Sequence, residues 1–220
     1  MSPHSSLPVG SKLWLLDSGT LDIDASYVLS GANVPKSNQP SQIHDTRQCL
    51  MIAALLYHPD LGLILFDTGA CEDIINSWDK EFLECVPRTW VKDIHSLPAA
   101  VKATGAGDIT DIKAVTVSEQ VVELWSGVTL HMCPGHTEGF LVVELKFQVA
   151  GTVVLTGDLF HVKENYEDGQ PQGFLMRDYN TWHRSRDYVR RLVRQTNAKV
   201  CLGHEKSYFD KFVKSPEYLV

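Results

Sequence analysis

Much is missing from this sequence, and each absence narrows the reading. It has five cysteines in 220 residues, Cys49, Cys71, Cys85, Cys133 and Cys201, an odd number with no pair spaced as C-x-x-C. A disulfide framework and a zinc ribbon are therefore unsupported, and reduced thiols in a cytoplasmic protein are expected. No apolar run approaches the ~18 residues that a membrane span requires. Residues 1–12 (MSPHSSLPVGSK) lack the basic and apolar regions of a secretory signal. Basic residues are in deficit, 20 Lys and Arg against 27 Asp and Glu, for a formal net charge of −7. Generic nucleic-acid binding through a basic surface is thus not expected. No repeat period and no Pro-, Gly- or Ser-rich linker divides the chain, so residues 1–220 read as one domain.

What is present is a series of short apolar runs with polar ends. Residues 49–57 (CLMIAALLY) and 63–66 (LILF) flank a Pro-Asp and Gly cluster and predict a hairpin. Residues 13–16 predict an earlier strand, and the polar stretch 30–45 a long loop, so residues 1–47 form an N-terminal strand and loop. A short helix is expected over 94–103, with Ser96 as a cap, and a strand over 112–117. Further strands are expected at 128–132, 141–145, 153–155 and 198–202. One long helix is expected over 181–195, capped by Asn180 or Thr181, with Trp182, Val189, Leu192 and Val193 on one stripe. Many strands and few helices suggest an α/β sandwich.

Three polar residues share one context, after an apolar strand and beside a glycine: His136 in CPGHTEG, Asp158 in VVLTGDLF and His204 in KVCLGHE. Glycine allows a tight turn and a close approach by another group. Imidazole and carboxylate together suit Zn²⁺, Fe²⁺ or Mn²⁺. Among the other histidines, His44 lies beside Asp45 in the polar loop and His95 near a helix end. The arginines of the long helix read as a solvated outer face.

The strings LILFDTG, PGHTEG, LTGDLFHVKENYED and KVCLGHE, in this order, resemble the metallo-β-lactamase superfamily, and within it the metal-dependent acyl-homoserine lactonases. The resemblance runs from about Cys49 to about Phe212. It implies an α/β (α+β) fold, an αββα sandwich of two mixed sheets with outer helices. It implies that His136 and His204 are metal ligands, that Asp158 is a bridging carboxylate, and that Asp67 supports the site from a strand end. The implied reaction is the opening of a lactone or ester by a metal-held hydroxide.

Two departures accompany the resemblance. The family's HxHxDH string is absent; no two histidines here are separated by a single residue. The chain passes from a segment resembling the region before that string to one resembling the region well after it. Part of the N-terminal half is thus expected to be missing, as a deletion joined near 114–119. The ligands left, His136, Asp158 and His204, suit one Zn²⁺ (or Fe²⁺ or Mn²⁺) rather than two, with impaired activity. The second departure is His161, where lactonases of this type carry a tyrosine facing the lactone. His161 can donate to an oxyanion, act as a general acid or replace a lost ligand, while its neighbours Lys163 and Glu164 suggest an exposed loop. Tyr166 is a further candidate for lining the substrate. The alternative reading is an inactive pseudoenzyme, or a splice product, that binds a small molecule or a protein.

Overall fold

Unbroken apolar runs form strands when both faces of the strand are covered, and the two central strands here are of that kind. The computed structural model describes residues 5–35, 37–38, 44–112, 115 and 117–220. Along them the chain runs β1 (Lys12–Asp24), α1 (Ala25–Val28), β2 (Thr46–His58), β3 (Gly62–Phe66), α2 (Ile74–Ser77), α3 (Lys80–Cys85), β4 (Arg88–Thr89), α4 (Lys92–His95), α5 (Leu97–Ala103), β5 (Val121–Trp125), β6 (Val128–Met132), β7 (Leu141–Lys146), β8 (Thr152–Leu155), α6 (Lys163–Tyr166), α7 (Tyr179–Thr196), β9 (Lys199–Cys201) and α8 (Lys206–Phe209). In β2, Leu50, Ile52, Ala54 and Leu56 enter one core cluster while Ala53 and Leu55 enter another. Strand β1 divides likewise, Leu13 and Leu15 against Trp14 and Leu16. The period of two puts alternate residues on opposite faces.

The first sheet has the order β3-β2-β1-β4 and is antiparallel in every pair; the second, β5-β6-β7-β8-β9, is mixed, with β8 and β9 parallel. The sequence suggested two mixed sheets. Only the second is, because a parallel pair needs a long crossover, which α7 supplies between β8 and β9. The shared core holds Leu13, Leu15, Leu50 and Ile52 from one sheet and Val143, Leu145, Val153 and Leu155 from the other. Helix α5 covers the outer face of the first sheet through Ala100 and Val101, and α7 that of the second through Trp182, Val189 and Val193. The layering is therefore αββα.

Local chemistry shifts several expected boundaries. The helix over 94–103 breaks at Ser96, since Pro98 has no N–H to continue the bond pattern; Ser96 caps the second piece by accepting from the Ala99 N–H. Helix α7 starts earlier than expected, with Asp178 and not Asn180 or Thr181 as its cap. Residues 109–111 form a 3₁₀ turn, and among the described residues of 112–117 none is in a strand; Ile109 and Ile112 instead pack on the α5 cluster. Residues 113, 114 and 116, the last two within the inferred deletion joint near 114–119, and residues 36 and 39–43 of the loop 30–45 lie outside the described residues. All five cysteines are free, and Cys49, Cys133 and Cys201 are buried. Among the described residues, no helix is long and apolar enough to cross a membrane.

Candidate metal centre

Four strand ends converge at one edge of the sandwich, and glycines let them approach. After β8, a 3₁₀ turn of Gly157–Leu159 carries Asp158. Gly157 has φ +47, and Gly203 packs so closely on it that an added Cβ would lie 2.6 Å from the Gly157 carbonyl oxygen. After β6, the loop carrying His136 rests on the start of α7. Gly135, at φ +136, approaches Trp182 closely, and its carbonyl accepts from the N–H groups of Arg177 and Asp178 at 2.9 and 3.0 Å. After β9, the His204 backbone bridges to the first sheet, its carbonyl accepting from the Leu50 N–H at 3.1 Å. After β3, Asp67 takes φ +67 and its Oδ1 accepts from the N–H groups of Thr68 and Gly69.

Asp158 sits at the centre. Its Oδ2 lies 3.3 Å from His136 Nε2 and its Oδ1 2.8 Å from His204 Nε2. His204 Nδ1 donates to the Leu50 carbonyl at 2.9 Å, which aims Nε2 at the carboxylate. His161 fills the space behind. Its ring is stacked on His204 at 5.3 Å and meets His136 edge-on at 5.2 Å. His136, Asp158 and His161 each offer one donor atom within 4.8 Å of the other two. His204 stands outside that mutual set, on the second carboxylate oxygen.

The electrostatics follow from burial and these contacts. Burial would raise the Asp158 pKa, but His204 and the hydrogen bonds from His136 and His204 hold it well below the usual carboxylate range. Burial opposes a charge on His204, yet Asp158, the Leu50 carbonyl and Asp67 together raise its pKa. Burial pushes His161 down to about 3, against the pull of Asp158. His161 is thus neutral near pH 7, the state a metal ligand needs. The Nδ1 atoms of His136 and His161 are buried without a hydrogen-bond partner. Buried polar atoms are otherwise almost always paired, so this donor set fits a divalent cation.

The structure brings His136, Asp158, His161, His204 and Asp67 to one place. His161 is 1% exposed, not in the solvated loop its neighbours suggested. The chain turns into α6 directly after Val162, which sends Lys163 outward while Phe160–Val162 stay inside. Tyr166 is a correction: it packs against Phe160 and Tyr208, at 5.3 and 6.0 Å between rings, away from the cleft. Helix α6 turns its ring towards the α7 and α8 cluster. His44 is also elsewhere, paired with Asp24 at 2.7 Å. The cleft above Asp158 and His204 has a volume of about 330 Å³, and Leu21, Met51, Asp67 and Trp78 help to wall it. Met51 and Trp78 escaped the sequence reading; Met51 is one residue in an apolar strand, and Trp78 follows a single helical turn without a motif.

Comparison with known proteins agrees with this fold. A family model described as the metallo-beta-lactamase superfamily matches residues 60–204. No curated protein sequence matches the chain. Among solved structures, a mutant of B. thuringiensis AiiA with N-decanoyl-L-homoserine bound is 19% identical, with a TM-score of 0.74 over 94% of this chain and 98% of that one. A quorum-quenching N-acyl homoserine lactone hydrolase is 19% identical with a TM-score of 0.70, each chain covered completely. AidC, a dizinc quorum-quenching lactonase, is 14% identical with a TM-score of 0.56, over 99% of this chain and 97% of that one. At such identities the likeness concerns the fold.

Proposed function

The chain belongs to the metallo-β-lactamase superfamily, and from that premise we propose that it is a metal-dependent hydrolase of lactones or esters. The observation that carries this is the convergence of the His136, Asp158 and His161 donors, all within 4.8 Å of one another, with Asp158 also lining the cleft. These three residues would hold one ion, Zn²⁺ or else Fe²⁺ or Mn²⁺, since imidazole with carboxylate suits each. When bound, such an ion supplies Lewis-acid polarisation of a carbonyl and a water that ionises near neutral pH.

The chain's own residues supply the rest. Asp158 stays ionised, with one oxygen directed at His136 and the other at His204. His204 holds that carboxylate in place because the Leu50 carbonyl fixes its ring. Asp67 adds negative charge beside His204. Met51 and Trp78 give the acyl side of a substrate an apolar wall. His161 is one of the donors and is buried, so its part is to hold the ion rather than to touch the lactone. The reading retains the cytoplasm as location, supported by five unpaired cysteines. It also retains a single domain with an internal deletion near 114–119, which genomic sequence around those codons tests directly.

The missing HxHxDH string favours a second reading, a pseudoenzyme that uses the old cleft for binding. One experiment separates the two. Protein purified without chelator is assayed for bound metal, then for hydrolysis of a chromogenic lactone and ester panel with added Zn²⁺, Mn²⁺ or Fe²⁺. Metal-dependent turnover that disappears in His136→Ala and Asp158→Ala is expected. A chain that neither binds metal nor turns over any ester establishes the pseudoenzyme instead.

A further inference from the structure

A second space, separate from the metal centre, opens between the two sheets. It has a volume of about 500 Å³, within the ~300–1,000 Å³ typical of ligand cavities. Leu56, Ile64 and Phe66 wall it from the first sheet, and Trp125, Leu130 and Val143 from the second. Among the described residues no ionisable side chain lines it, and Thr68 brings its one hydroxyl. Ile64, Phe66, Leu130 and Trp125 are only partly buried because this volume stands where a sandwich core would otherwise be filled.

The lining decides what fits. Apolar-walled cavities exclude water and take apolar guests. A peptide inserted there would bury backbone N–H and C=O groups with a single hydroxyl to satisfy them, which is costly. A charged ligand would find no counter-charge among the described residues. We infer that the space between the sheets is a binding site for an uncharged aliphatic chain. Phe66 and Thr68 line it while Asp67, between them, lines the metal cleft, so the two spaces are separated by one strand end. The inference rests on the cavity and not on hydrolysis.

The test is a fluorescence titration of the full chain with N-phenyl-1-naphthylamine, a neutral apolar probe, followed by displacement with 1-alkanols from hexanol to dodecanol. One saturable site per chain is expected. Alkanol affinity should rise about fourfold per methylene, the value of ~0.8 kcal/mol per buried CH₂, and level off once the chain outgrows the cavity. Ile64→Trp and Leu130→Trp, which fill the space from opposite walls, should each weaken the probe at least tenfold. Val149→Trp, at an exposed turn, should leave it unchanged. His136→Ala should also keep probe binding, so failure of the hydrolase reading and failure of this one are distinguishable. Unsaturable binding, or affinity independent of alkanol length, overturns the inference even if both filling variants fail to fold. A dimer in sedimentation whose formation excludes the probe overturns it in favour of a second copy.

Discussion

His161 and His204 are stacked rings beside one carboxylate, and their surroundings drive them in opposite directions. His161 is pushed to about 3 by burial, while His204 is raised. An unfolded histidine titrates near ~6.5. For His161, whose folded pKa is depressed, stability is full above that value and is lost as pH falls towards 3. For His204, whose folded pKa is raised, stability is full below ~6.5 and is lost as pH rises through its folded value. Together these two groups place the maximum stability of the metal-free chain near pH ~6.5. Thermal melts across pH 4–9 check this. His204→Gln should flatten the alkaline limb and His161→Leu the acid limb; limbs unchanged in both variants would refute the assignment. His161→Leu makes a further prediction. Removing an imidazole with an unpartnered buried Nδ1 should leave the metal-free melting temperature at neutral pH unchanged or higher. Bound metal per chain should fall, as measured by elemental analysis of protein purified without chelator.

At the scale of elements, the site depends on how closely the loops approach the helix behind them. An added Cβ at Gly135 would lie 2.4 Å from the Trp182 Cα, at a φ of +136. Gly135→Ala should therefore cost about 3 kcal/mol from overpacking and backbone strain, or roughly 6–12 °C in melting temperature for a chain of this size. It should also reduce metal retention by displacing His136. Gly151→Ala is the control, because its φ is positive but nothing lies within 4 Å of the added Cβ; equal losses in both would mean that φ alone is responsible. Strands were legible in the sequence where glycine and proline end apolar runs, as at the 58–62 turn between β2 and β3. The break at Ser96 was foreshadowed by Pro98, though the sequence pattern carried the helix through it. The burial of His161 was not legible, since it depends on stacking against a residue 43 positions later and on a turn that sends Lys163 outward. Tyr166 misled for the same reason: a helical turn sets its direction, and a motif says nothing of direction.

For the molecule as a whole, both ends of the described chain tie the sheets together. Leu7 is buried in the shared core and its N–H donates to the Lys146 carbonyl at 2.7 Å, beside Gly127, where a Cβ would lie 2.2 Å from the Leu7 nitrogen. At the other end, Leu219 exchanges two hydrogen bonds with Leu13, at 3.0 and 2.9 Å, covering a part of β1 that β4 does not reach. The Val220 carbonyl accepts from Ala150, in the turn between β7 and β8, at 2.8 Å. Tyr218 packs on Trp14 at 5.3 Å between rings. The tail thus binds an edge of the first sheet and a turn of the second, and the shared core already contains residues of both. A chain lacking residues 217–220 loses three backbone hydrogen bonds, each worth a net ~0.5–1.5 kcal/mol, and exposes a strand edge. It should unfold in a single transition roughly 6–12 °C lower, taking about 3 kcal/mol for the three bonds. A fall of less than about 2 °C in calorimetry would mean that the tail only rests on the surface. Two separate transitions would mean that the sheets unfold independently, and that the tail rather than the core joins them.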